Sequence, residues 1–193
     1  KAVGLKAGDE VIIPTTTFAS TAEVVTYFNA TPVLCDIRVE DHNIDVSKIE
    51  ALITGKTKVI IPVHFSGIPC DMDAIHKIAK KHALKVIEDA AHSFPSKYKG
   101  QMIGTLSDIT CFSFYATKTL ATGEGGMATT NNEEYAKSMK CNRLHGISKD
   151  AWNRYSDKGT WYYEVIDNGY KYNMTDMAAS LGLVQLKRAD ELN

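Results

Sequence analysis

Lys58-Val59-Ile60-Ile61-Pro62-Val63, a run with helical spacing over 72–82, and Lys85-Val86-Ile87-Glu88 together decide the fold. Two short runs rich in β-branched residues flank a stretch with a 3.6-residue apolar period, which predicts strand, helix and strand in succession. Continuous apolar runs of this kind suit parallel strands covered on both faces. Outward from this unit, Val11-Ile12-Ile13-Pro14, Pro32-Val33-Leu34-Cys35 and Ile109-Thr110-Cys111-Phe112-Ser113 also suit buried strands, and 126–130 suits another. Helical spacing recurs over 20–28, 46–53 and 133–144, and from Thr175 the pattern Met177, Ala178, Leu181, Val184, Gln185 and Leu186 adds an apolar helix. Asp45 and Asp71 stand where N-caps belong, each with an oxygen to offer a free backbone N–H. The expected fold is a three-layer α/β domain, a mostly parallel sheet with helices on both faces.

Composition narrows the function. The 193 residues are 44% apolar with a formal net charge of -1, enough to bury one sizeable core. No block of like charge marks a nucleic-acid or membrane surface, and no apolar run has membrane-spanning length. The expected partner is a small molecule or another protein. Cys35, Cys70, Cys111 and Cys141 have neither zinc-ligand spacing nor a compact disulfide pattern, which reads as reduced thiols in a cytoplasmic protein. The segment 146–169 holds both tryptophans and no clear period, so a long, partly exposed excursion is expected there. The first residues read as a helix end without its start, and the last helix stops abruptly. One domain over 1–193, incomplete at both ends, is the simplest reading.

In open α/β sheets, ligands collect beyond the carboxyl ends of the strands. Three strand exits are rich in chemistry: Asp89-Ala90-Ala91-His92, then Phe112-Ser113-Phe114-Tyr115-Ala116-Thr117-Lys118, then Thr122-Gly123-Glu124-Gly125-Gly126. An acid, an imidazole, a hydroxyl, an amine and a flexible return thus share one edge. The set suits pyridoxal phosphate (PLP), which needs a lysine for its aldehyde and an anion for its ring nitrogen. Asp89 would keep that nitrogen protonated, and Ser113 with a helix N-terminus would meet the phosphate. Lys118 must lose a proton to attack a carbonyl, a loss that a neighbouring cationic ring assists. Glu88 and Asp89, as strand neighbours, point to opposite faces and cannot act as a glycosidase pair. Each residue also has a plainer reading: Asp89 as a turn cap, Lys118 as a solvated surface lysine, and Ser113 and His92 as partners of local backbone. Phe18 and His64 would then be core. No His or Cys spacing favours a metal, and no strand leads into G-x-G-x-x-G.

The succession Glu88-Asp89-Ala90-Ala91-His92, Phe112 to Lys118 and Thr122 to Gly126 resembles the DegT/DnrJ/EryC1/StrS family of fold type I, PLP-dependent sugar aminotransferases. Supporting stretches are Gly8-Asp9-Glu10-Val11-Ile12-Ile13-Pro14, Cys70-Asp71-Met72-Asp73-Ala74-Ile75 and Gly169-Tyr170-Lys171-Tyr172-Asn173-Met174-Thr175-Asp176. The resemblance implies that Lys118 forms the Schiff base with PLP, Asp89 pairs with the ring nitrogen, Ser113 binds the phosphate, His92 lies near the ring hydroxyl and Phe18 stacks on the ring. It further implies a homodimer in which an asparagine from one subunit reaches the other's phosphate. Asn173 is the candidate, although many relatives carry the asparagine two places earlier, where this chain has Lys171. The implied reaction moves an amino group, with glutamate as donor, to a nucleotide-linked keto-deoxysugar in polysaccharide or amino-sugar biosynthesis.

Two departures accompany the resemblance. The family's N-terminal phosphate loop and its small C-terminal domain have no counterpart here, so the chain alone is expected to be inactive. A sugar dehydratase of the same family is one alternative, but such enzymes typically carry histidine where this chain has Lys118. A non-catalytic chain with the same fold is another.

Overall fold

The computed structural model describes residues 1–147 and 163–192. Most of the excursion expected over 146–169 lies outside the described residues. Six strands, β1 (Glu10–Pro14), β2 (Thr31–Cys35), β3 (Thr57–Ile60), β4 (Lys85–Asp89), β7 (Ile109–Ser113) and β8 (Gly126–Thr129), form one sheet in the order β2-β1-β3-β4-β7-β8. The first five run parallel and β8 returns antiparallel to β7 at the edge. A two-stranded hairpin, β5 (Lys97–Tyr98) and β6 (Gln101–Met102), was not foreseen; strands of two residues carry no period to read.

Side-chain alternation along the strands builds a core on each face. Ile12, Ile60 and Val86 pack against Ile49 of α2 (Val46–Ile49) and against Met72, Ile75 and Ala79 of α3 (Met72–Lys81). Val11, Ile13, Val59 and Ile61 pack the other way, with Val25 of α1 (Ala19–Thr26). The three-layer α/β architecture expected from the sequence is therefore present. The caps also form: Asp45 accepts from Ser47 N–H and Asp71 from Ala74 N–H, with Asn132 and Thr175 capping α4 (Glu133–Asn142) and α5 (Asp176–Lys187) in the same way. The last described element is α6 (Ala189–Leu192).

Two expectations need correction. β3 ends before Val63, because Pro62 has no N–H for the ladder; pairing resumes only as an isolated Val63–Asp89 bridge. β2 and β8 are edge strands rather than buried ones, and Leu34 and Met127 on them are largely exposed.

All four cysteines are free. Among the described residues no helix is long and apolar enough to cross a membrane, and no group of His, Cys, Asp and Glu could hold a metal ion.

Candidate active site

β4 carries two acids to the carboxyl edge of the sheet and turns them apart. Val86 and Glu88 face α2 and α3, whereas Ile87 and Asp89 face α1. Asp89 Oδ2 accepts from Thr21 Oγ1 at 2.8 Å, and Oδ1 accepts from Ala91 N–H at 3.1 Å. Thr17 Oγ1 in turn donates to Thr21 Oγ1 at 2.7 Å. With a donor on each oxygen, the carboxylate is held as an acceptor, and its remaining lone pairs are available to a third donor.

Glu88 is fully buried. His64 Nε2 lies 2.7 Å from its Oε2, and Thr110 Oγ1 donates to Oε1 at 2.9 Å. Burial pushes this carboxyl upward, but the bonds from His64, Ser107 and Thr110 outweigh it and hold the group below its ordinary range. His64 is thus a core residue rather than a pocket residue.

β7 lies beside β4, with Cys111 registered against Asp89. Ser113, two residues on, shares the face of Cys111 and ends the strand half-buried. Its Oγ accepts from Tyr115 N–H at 3.3 Å, which leaves its own O–H to donate. The loop 114–125 then closes on Phe114, whose N–H donates to Gly125 O at 2.8 Å and whose carbonyl accepts from Thr122 N–H at 2.9 Å. Leu120 and Thr122 turn inward and are buried, and Ala121 N–H donates to Gln185 Oε1 of α5 at 3.3 Å. Gly125 is required by close approach, since a Cβ there would collide with Thr122 Oγ1. Lys118 sits half-buried within this closed loop, its N–H on Tyr115 O at 2.9 Å.

The other candidates reach the same edge from different elements. Phe18 precedes α1, three residues before Thr21, with 79% of its surface exposed. His92 follows Asp89 and is exposed. Asn173 lines an open groove with Thr122, Glu124 and Gly125, and its Oδ1 accepts from Lys171 Nζ. The two alternatives for the shared asparagine are therefore bonded to each other. Sequence reading missed Thr21 and the His64–Glu88–Thr110 cluster. Thr21 carries no signal in the sequence, because its burial and its bond to Asp89 arise only from the packing of α1.

A sequence profile described as the DegT/DnrJ/EryC1/StrS aminotransferase family matches residues 1–193. The spore coat polysaccharide biosynthesis protein SpsC of Bacillus subtilis is 56% identical over 192 residues, covering 100% of this chain and 49% of that protein. GDP-perosamine synthase of Caulobacter vibrioides is 46% identical over 190 residues, covering 98% and 48%. The chain thus spans about half the length of the curated relatives it matches. Among solved structures, Spr1654 of Streptococcus pneumoniae in its PMP-form superposes with a TM-score of 0.89 at 39% identity, covering 98% of this chain and 52% of that one; the same protein is also solved in a PLP-form. By the match along its whole length, the chain belongs to the DegT/DnrJ/EryC1/StrS aminotransferase family.

Proposed function

We propose that the complete protein is a PLP-dependent aminotransferase acting on a nucleotide-linked keto-deoxysugar, with glutamate as amino donor, and that it works in the cytoplasm as a homodimer. The carrying observation is the Asp89 carboxylate, fixed by Thr21 and Ala91 N–H at the carboxyl edge of the sheet beside the strand that leads to Ser113 and Lys118. PLP fits the chemistry of this donor set. An ionised carboxylate with lone pairs to spare suits a protonated ring nitrogen, a hydroxyl free to donate suits a phosphate oxygen, and an exposed aromatic face suits a flat ring.

Lys118 would hold the cofactor by its amine, Asp89 would pair with the ring nitrogen and Ser113 would donate to the phosphate. Phe18 would cover one ring face, His92 would lie near the ring hydroxyl, and Asn173 would reach the phosphate of the neighbouring subunit's site. When bound, PLP supplies an electron sink for the bond that breaks at the substrate carbon. Asp89, with Thr21 Oγ1 and Ala91 N–H already on its oxygens, would offer a remaining lone pair to the ring nitrogen. Lys118 Nζ would act as the base that takes the proton from the donor's α-carbon and then, protonated, as the acid that delivers it where the amino group is transferred.

Support for the substrate class comes from the relatives' names, a GDP-perosamine synthase and a polysaccharide biosynthesis protein. Four free cysteines favour a reducing compartment. Lys118→Ala in the complete protein tests the assignment. Loss of both the visible absorbance of lysine-bound PLP and of transamination is expected; survival of both contradicts it.

A further inference from the structure

Behind Asp89, on the opposite face of β4, lies a buried polar cluster that the proposed chemistry does not use. The His64 imidazole and the Glu88 carboxylate are both at 0% side-chain exposure. Cys70 N–H donates to His64 Nδ1 at 3.1 Å, so that nitrogen carries no proton. The imidazole is therefore neutral, and its single N–H, at Nε2, donates to Glu88 Oε2. Thr110 Oγ1 occupies Oε1. Each of the four polar side-chain atoms of His64 and Glu88 thus has a partner, which is the condition under which a buried network fixes one geometry. Stability alone does not account for it, because a buried carboxylate loses solvation that apolar residues of the same volume would not.

The backbone supplies the link to the site. His64 N–H donates to Asp89 O at 3.1 Å, and Asp89 N–H donates to Pro62 O at 2.9 Å. One residue thus grips the main chain of Asp89 with its amide and the side chain of Glu88 with its ring. The loop that follows is itself held. Asn43 Oδ1 accepts from Phe65 N–H at 3.0 Å and its Nδ2 donates to Ile68 O at 3.1 Å. Ser96 Oγ donates to Gly67 O at 2.8 Å, joining this loop to the turn after His92.

We infer that the buried His64–Glu88 pair is a positioning device for Asp89: it locks the 62–64 segment onto the end of β4 and so sets where the Asp89 carboxylate stands. This deepens the proposed function and rests on it.

The test compares Glu88→Gln and Glu88→Leu in the complete protein, alone and combined with Asp89→Asn, reading the PLP dissociation constant and the melting temperature. Glu88→Gln preserves the contacts, because the amide oxygen accepts from His64 Nε2 while the Thr110 hydroxyl rotates to accept from the amide NH2. Its PLP affinity is expected within about twofold of wild type. Glu88→Leu leaves the His64 N–H unpaired and is expected to weaken PLP binding about tenfold. In the Asp89→Asn background the same change is expected to add little, because it acts through Asp89. A Glu88→Leu protein that melts earlier yet binds PLP like wild type overturns the inference, as does full additivity with Asp89→Asn, or a Glu88→Gln protein as weak as Glu88→Leu. If Glu88→Leu does not fold, Thr110→Val, which removes one donor at constant volume, carries the test: about threefold weaker binding is expected, and an unchanged constant overturns it. A wild-type protein that takes up no PLP overturns the functional reading instead, so the two failures are distinguishable.

Discussion

Thr21 Oγ1 donates to Asp89 Oδ2 at 2.8 Å across 68 residues of sequence, tying the first turn of α1 to the end of β4. The bond joins the element that carries Phe18 to the acid assigned to the cofactor's ring nitrogen. Thr21→Val removes a donor from a charged acceptor and is expected to weaken PLP binding about tenfold, with Thr21→Ser close to wild type. Thr17→Val is expected to cost less, because the Thr21 hydroxyl still donates to Asp89 without it. Equilibrium titration with PLP measures all three.

Gly67 has a φ of +84° and no room for a side chain, since a Cβ would lie 2.8 Å from His92 O. Gly67→Ala is expected to lose about 3 kcal/mol, combining left-handed strain with overlap against backbone. Gly100, with a φ of +85° but open space around it, is the control; Gly100→Ala is expected to lose about 1 kcal/mol. Urea unfolding of both variants checks the difference.

Glu88 titrates below its ordinary value of 4.5 in the folded chain. The folded state then binds fewer protons than the unfolded state in acid, so stability from this group is present above pH 4.5 and is lost as pH falls through the lower folded value. Glu88→Gln is expected to flatten this acid limb and leave the neutral region unchanged in slope. Melting temperatures from pH 7 downward measure it.

Burial pushes the Cys70 thiol up to about 12, and burial aided by Asp45 and Asp36 pushes Cys35 to about 11. Both stay protonated at neutral pH, and the thiolate is the reactive form. Alkylation at neutral pH is therefore expected to label Cys35 and Cys70 only after denaturant is added, as read by peptide mass mapping.

Much of the architecture was legible because local pattern and burial agree in the centre of the sheet. Val11-Ile12-Ile13 and Val59-Ile60-Ile61 are apolar on both faces because helices cover both. What stayed hidden depends on order rather than pattern. Val33 and Leu34 look as apolar as Ile12 and Ile13, yet β2 ends the sheet and leaves Leu34 exposed. Asp89, Ser113 and Lys118 could be singled out as candidates because they lie at or beyond the carboxyl ends of β4 and β7, the edge where ligands collect. Their supports could not be. Thr21 meets Asp89 only through the packing of α1, and the neutral form of His64 follows only from the Cys70 amide that approaches its ring.

PLP is proposed to be held by Lys118 at the edge where Asp89 and Ser113 stand. Reducing the complete, PLP-loaded protein with borohydride converts the lysine linkage into a stable amine that peptide mass mapping can locate. One stoichiometric pyridoxyl adduct, on Lys118, is expected. An adduct on any other lysine, or none from a protein that binds PLP, would contradict it.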